Sequence, residues 1–100
     1  MNGRFAGFEW DSGNREKCER HGVTVAQIEA LLTGSPRIVP DLKHSATEDR
    51  YIAVGRDTDG RTVFVAFTVR ERNGERLIRP VSARFMHGKE IEGYEEAKGS

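Results

Sequence analysis

A chain of 100 residues has room for one small domain, and 36% apolar against 32% charged residues imply a thin core under a heavily charged surface. Sixteen Lys and Arg balance sixteen Asp and Glu, so no global field draws the molecule to nucleic acid or to an anionic membrane, and any such site has to be a local patch. The single cysteine excludes an internal disulfide, and with only three histidines neither a structural metal site nor a cofactor is expected.

In chain order, Met1 to Gly7 lacks a secretory apolar core, and nowhere does an apolar run approach the roughly 20 residues that span a bilayer. The expectation is a soluble, cytoplasmic protein with a flexible start at 1–7 and one domain over 8–97. Phe8-Glu9-Trp10 alternates apolar and polar residues and predicts a short first strand. Asp11 or Ser12 can cap a polar helix running to about Arg20, which Gly22 closes in the left-handed conformation. Thr24 and Gln27 form a capping-box pair with Val23 and Ile28 as its hydrophobic staple. Val25, Ile28, Leu31 and Leu32 keep helical spacing until Gly34 and Pro36 end the second helix.

Arg37-Ile38-Val39-Pro40 fits a short edge strand, because a terminal proline suits an edge. Three β-rich runs follow: Tyr51 to Gly55, Thr62 to Arg70 and Arg76 to Phe85. Asp57-Thr58-Asp59-Gly60 separates the first two and Asn73-Gly74, a tight-hairpin signal, the last two, so three antiparallel strands are predicted with the middle one central. In that strand Val63, Val65, Phe67 and Val69 share a face, and Thr62, Phe64, Ala66 and Thr68 share the other. Gly88 to Ala97 predicts a terminal helix with Ile91 and Tyr94 on one side. The predicted class is α+β, in the order β-α-α-β-β-β-β-α, with helices on one face of a mostly antiparallel sheet.

The last strand has a parity conflict. Regular alternation would set Arg79 among Val81, Ala83 and Phe85, an unpaired guanidinium in the core, which is prohibitively unfavourable. Proline cannot donate to a ladder, so a bulge near Pro80 is predicted. The bulge turns Ile78, Val81, Ala83 and Phe85 inward and gathers Arg79, Ser82 and Arg84 on the opposite face. Two guanidiniums and a hydroxyl on a rigid strand suit phosphate. A solvated face with surface ion pairs is the other reading of the same pattern.

His44, Ser45, Glu48 and Arg50 crowd the polar entry to the second long strand. RNA cleavage without a metal needs a base for the ribose 2′-hydroxyl, an acid for the leaving oxygen and positive charge on the phosphate. His44 or Glu48, with Arg50, can supply these, although Glu48 and Arg50 also fit an ordinary surface pair. His21 suits a helix end, and His87 beside Lys89 is a spare base or a surface residue. Tyr94 is a proton donor or a core plug, and Cys18 is a packing residue rather than a nucleophile. No glycine-rich phosphate loop, metal-binding carboxylate pair or nucleophilic triad is present.

Three segments together resemble the BrnT-type toxins of bacterial toxin–antitoxin pairs. They are Phe8-Glu9-Trp10-Asp11 with Asn14, Lys17 and His21-Gly22-Val23; then Asp41 and His44-Ser45 with Glu48-Asp49-Arg50 and Gly55-Arg56; then Ile78 through Arg84. The likeness continues through Met86-His87 and Lys89-Glu90 to Tyr94-Glu95. It implies a RelE-like fold and a metal-independent endoribonuclease that arrests translation. It also implies a hetero-oligomer with a BrnA-type antitoxin, which neutralises the toxin and carries the DNA-binding part, so that operator DNA is met only through the partner. By the same resemblance the catalytic positions fall on His44, Glu48, Arg50, Arg84 and Tyr94, and RNA-binding positions on Arg79, Ser82 and Lys89. Two departures stand out: Cys18 replaces a frequent asparagine, and Lys89 to Glu96 is acidic where many relatives are arginine-rich. A non-catalytic module that partners the antitoxin as a co-repressor is the alternative. An autonomous DNA-binding protein is excluded for want of a basic recognition helix.

Overall fold

The computed structural model describes residues 5–41 and 49–89, an α+β arrangement of a five-stranded mixed sheet and two helices. The elements are β1 (Gly7–Phe8), α1 (Ser12–Glu19), α2 (Val25–Thr33), β2 (Arg37–Pro40), β3 (Arg50–Arg56), β4 (Thr62–Arg72) and β5 (Glu75–Phe85). Their order is the predicted one through β5. In space the strands run β1-β5-β4-β3-β2, with β4 central and β1 parallel to β5 while the remaining pairs are antiparallel. Of the expected last helix, residues 88 and 89 are helical and the rest lies outside the described residues. No helix among the described residues is long and apolar enough to cross a membrane.

Local chemistry accounts for the helix ends. Thr24 Oγ1 accepts from Gln27 N–H at 3.1 Å and Gln27 Oε1 accepts from Thr24 N–H at 2.8 Å, the reciprocal box that its spacing predicted. Val23 and Ile28 beside it are wholly buried. α1 has eight residues, far below the ~12–15 at which an isolated helix becomes even marginal, and only Asn14 and Cys18 are buried in it. Tertiary anchors therefore have to hold it. Asp11 and Asn14 close a second capping box, at 3.0 and 2.7 Å, and Asn14 Nδ2 donates to the carbonyls of Glu9 (3.0 Å) and Pro80 (2.8 Å).

The β4–β5 hairpin turns at Asn73-Gly74, both with positive φ (53° and 80°), the backbone a two-residue turn of this kind requires. The ladder then runs regularly to Phe67↔Pro80, where the register slips by one so that Ala66 faces Ser82. Val81 is the extra residue. The bulge predicted near Pro80 is thus present, with one correction: buried Pro80 takes the inward place opposite Phe67, and Val81, expected inward, is half-buried with no ladder partner. The ring fills the core position because it has no N–H to lose, and Asn14 of α1 donates to Pro80's own carbonyl.

Both helices cover one sheet face. Cys18, Val23, Ile28, Leu31 and Leu32 meet Ala53, Val63, Val65, Phe67, Ile78 and Ala83 in one core. Full burial of a side chain such as Ile28 contributes about 2–3 kcal/mol. α2 approaches β3 so closely that a Cβ on Gly55 would lie 2.6 Å from Leu31 Cδ1, which explains a glycine within that strand. Trp10 Nε1 donates to Glu29 Oε2 at 2.9 Å and ties the end of β1 to α2. Ahead of β1, Ala6 N–H donates to Arg76 O at 2.8 Å, and the Arg76 guanidinium lies 4.8 Å over the Phe5 ring.

Candidate nucleic-acid interface

Ladder register and strand alternation assign the strand residues to faces, the bulged Val81 excepted. The face opposite the helices collects Arg37 from β2, Arg50 and Arg56 from β3, Arg70 and Arg72 from β4, and Arg79 and Arg84 from β5. Against them that face has Glu75 within the ladder, Glu9 and Asp11 reaching in from beyond β1, and buried Asp41, which follows β2 and donates its backbone N–H to Arg50 O at 2.8 Å. A chain with no net charge therefore carries a strongly cationic sheet face.

Three of the expected site residues, Arg79, Ser82 and Arg84, share this face, as the bulge argument required, and Arg50 joins them from two strands away. Arg50, Thr68 and Arg79 form one lateral row across β3, β4 and β5, so Arg50 and Arg79 flank the central strand about 10 Å apart. Ser82 lies on the next row and is exposed. Arg84 is four β4 residues from the first row, about 14 Å along the strand, with its guanidinium 4.6 Å over the Phe64 ring. That ring contact holds the planar group against the sheet. The geometry is a strip of cations matched to a polyanionic strand, rather than a point that binds one small anion.

Arg79 is the most constrained member. Its guanidinium reaches Glu9 Oε1 at 3.2 Å and Asp11 Oδ2 at 2.9 Å, while Glu9 Oε2 takes Arg72 Nε at 2.7 Å. The Arg72 hydrogen bond, aided by the charges of Arg72 and Arg79, holds the Glu9 carboxyl below the usual glutamate range despite some burial. The Asn14 backbone N–H, then Arg79, holds Asp11 low as well. Both carboxylates are therefore ionised at neutral pH. Sequence reasoning missed Glu9 and Arg72 here, because residues 63 apart in the chain meet only through the parallel β1–β5 pairing.

Lys89 is exposed at the edge of the described residues, whereas His44, Glu48 and Tyr94 lie outside them. Cys18 is 0% exposed, and burial pushes its thiol up to about 11, so it stays protonated and packs. Cavities of about 390 Å³ between α2 and the Arg56–Thr58 turn, and about 230 Å³ beside Phe5, Tyr51 and Phe67, lie away from the Arg50–Thr68–Arg79 row. Cavity size is a poor guide here, since a flexible nucleic-acid strand is held by charge along an extended surface. Among the described residues no group of three His, Cys, Asp or Glu is placed to hold a metal ion.

The profile of the family described as the ribonuclease toxin BrnT of type II toxin–antitoxin systems matches residues 10–90. That span includes both helices, β2 to β5 and the whole arginine face. No curated protein matches the chain.

Proposed function

The chain belongs to the BrnT family of ribonuclease toxins of type II toxin–antitoxin systems, and from that premise we propose that it is a cytoplasmic, RelE-like, metal-independent endoribonuclease acting through the arginine face of its sheet. Residues 8–97 form the toxin domain in this reading. The observation that supports it best is the segregation of arginine onto one face of a neutral molecule, with Arg50, Arg79, Ser82 and Arg84 on adjoining strands.

Cleavage of RNA by its own 2′-hydroxyl moves a proton from that hydroxyl to a base as the oxygen attacks the adjacent phosphorus. The P–O bond to the next nucleotide breaks, and its 5′-oxygen takes up a proton. Arg50 and Arg84, too far apart to share one phosphate, bind phosphates at the two ends of the strip and stabilise the charge that develops on the scissile one; Arg79 and Ser82, with Lys89, hold the others. His44 or Glu48 carries the proton from the 2′-hydroxyl. Tyr94 is the weaker base, since an unperturbed tyrosine, with a pKa of about 10, is almost wholly protonated at neutral pH, and it serves better as a donor.

The partner proposed is a BrnA-type antitoxin that forms a hetero-oligomer with the toxin, neutralises it and brings the complex to operator DNA. Arrest of translation follows from the RNA cleavage. A second reading keeps the antitoxin interface without catalysis, and the commitment of Arg79 to Glu9 and Asp11 favours it. Induction in a bacterial host separates the two: the wild type should arrest growth and fragment RNA, and Arg84→Ala should do neither while still binding antitoxin. Equal harmlessness of both proteins, with antitoxin binding intact, would leave only the non-catalytic reading.

A further inference from the structure

Thr68 sits at the centre of the arginine face and has no part in the scheme above. It lies midway along the central strand and is 0% exposed, and its Oγ1 has no hydrogen-bond partner. A buried hydroxyl in that state carries a desolvation penalty that valine, its isostere, would avoid, and valine is equally at home in a strand. Packing alone therefore favours valine at this position.

The neighbours suggest what the hydroxyl serves. Across the ladder Thr68 faces Arg50 on one side and Arg79 on the other, with Cβ atoms about 5 Å away, and Arg70 follows two residues along the same face. Arg50 and Arg70 bury their Nε atoms, so both guanidiniums are held close to the sheet. A neutral donor set among cations has one natural guest, an anion with several oxygens. A tetrahedral phosphodiester can offer one oxygen to the hydroxyl and others to flanking guanidiniums at once.

We infer that Thr68 Oγ1 is a phosphate-contacting group, donating to a non-bridging oxygen of an RNA phosphodiester seated on the Arg50–Thr68–Arg79 row. The inference rests on the ribonuclease-toxin reading, which supplies the RNA. Thr68 binds and positions the phosphate and exchanges no proton with the reacting oxygens. Arg50 shifts on its flexible stem to admit the anion, while Arg79, held by Glu9 and Asp11, stays in place and offers its remaining N–H donors.

The test compares full-length wild type with Thr68→Val and Thr68→Ser, using as probe a short single-stranded RNA with every ribose 2′-O-methylated, which cannot be cleaved. Loss of one hydrogen bond to a charged group should weaken probe binding about tenfold in Thr68→Val, while its thermal midpoint stays level or rises because no internal bond is lost. Thr68→Ser keeps the hydroxyl and should bind within about twofold of wild type. Wild-type binding by Thr68→Val overturns the inference, and so does a fall in its midpoint, which would mean that the hydroxyl serves the fold. Wild type that neither binds the probe nor cleaves unmodified RNA removes the ribonuclease reading and this inference together. Wild type that does both, with Thr68→Val its equal, removes only the inference.

Discussion

On the helix-covered side of the sheet, Val63, Val65, Ile78 and Ala83 meet Ile28, Leu31 and Leu32 in a closed core, where free energy comes from area taken out of water. On the other side, alternate residues of the same strands align Arg50, Arg70, Arg79 and Arg84, like charges whose mutual repulsion is offset by contacts such as those of Glu9 and Asp11 with Arg79 and of the Phe64 ring with Arg84. The first face draws its folding energy from buried area, whereas the second gathers more positive charge than its carboxylate partners need. Charge in surplus of those partners is the feature to assign to binding and chemistry. The bulge at Val81 lets one strand serve both faces, since without it Arg79 would enter the core.

Substitutions on the two faces should separate stability from activity. The largest effect is expected on the covered side, where Ile28→Ala should cost about 4 kcal/mol of unfolding free energy by denaturant titration, through lost transfer energy and the cavity left behind. Arg84→Ala should lower RNA cleavage about 100-fold, as loss of one charge-stabilising group does, with the melting temperature nearly unchanged. A melting temperature that falls with activity would make Arg84 part of the fold and blur the contrast.

Asn14→Ala bridges the faces, because it removes the bonds to Glu9 O and Pro80 O and one half of a capping box. Its expected cost is about 2–3 kcal/mol, with cleavage reduced only as Arg79 shifts with the bulge. Thr24→Ala, remote from the arginine face, should cost about 1 kcal/mol and leave cleavage intact.

The smallest expected effect is on acid stability. Glu9 and Asp11 have folded-state pKa values below their unfolded ones, so their contribution is present above the ordinary carboxylate range and is lost as pH falls through the lowered folded values. Thermal midpoints measured from about pH 6 down to about pH 3 should decline, and Glu9→Gln should flatten that decline. An unchanged profile in Glu9→Gln would show that the Arg72–Glu9–Arg79 chain adds nothing to folding.

Much of the fold was legible because its determinants are local. The Thr24–Gln27 box, the Asn73-Gly74 turn and the edge proline each act within four residues, and each structure element falls within a residue or two of its predicted place. The bulge is a less ordinary case, since no turn residue announces it and only the cost of burying Arg79 pointed to it. Half of the candidate site was equally legible, because face membership of Ser82 and Arg84 follows from parity. The grip of Glu9 on Arg72 and Arg79 was not, since it depends on β1 lying parallel beside β5. Nor was the isolation of the Thr68 hydroxyl, because threonine in a strand is unremarkable until its surroundings are known.

By itself, then, the sequence determined which segments form helices and strands, where they cap and turn, and that Arg79 cannot share a face with Ala83. Those outcomes follow from backbone propensity and the cost of burying charge, which act over a few residues. Tertiary structure alone decided that Asn14 would hold the bulge, that two carboxylates would neutralise Arg79, and that Arg50 would stand abreast of it across Thr68. Each needs strands brought together from distant parts of the chain, and pairing between strands is chosen by the whole core.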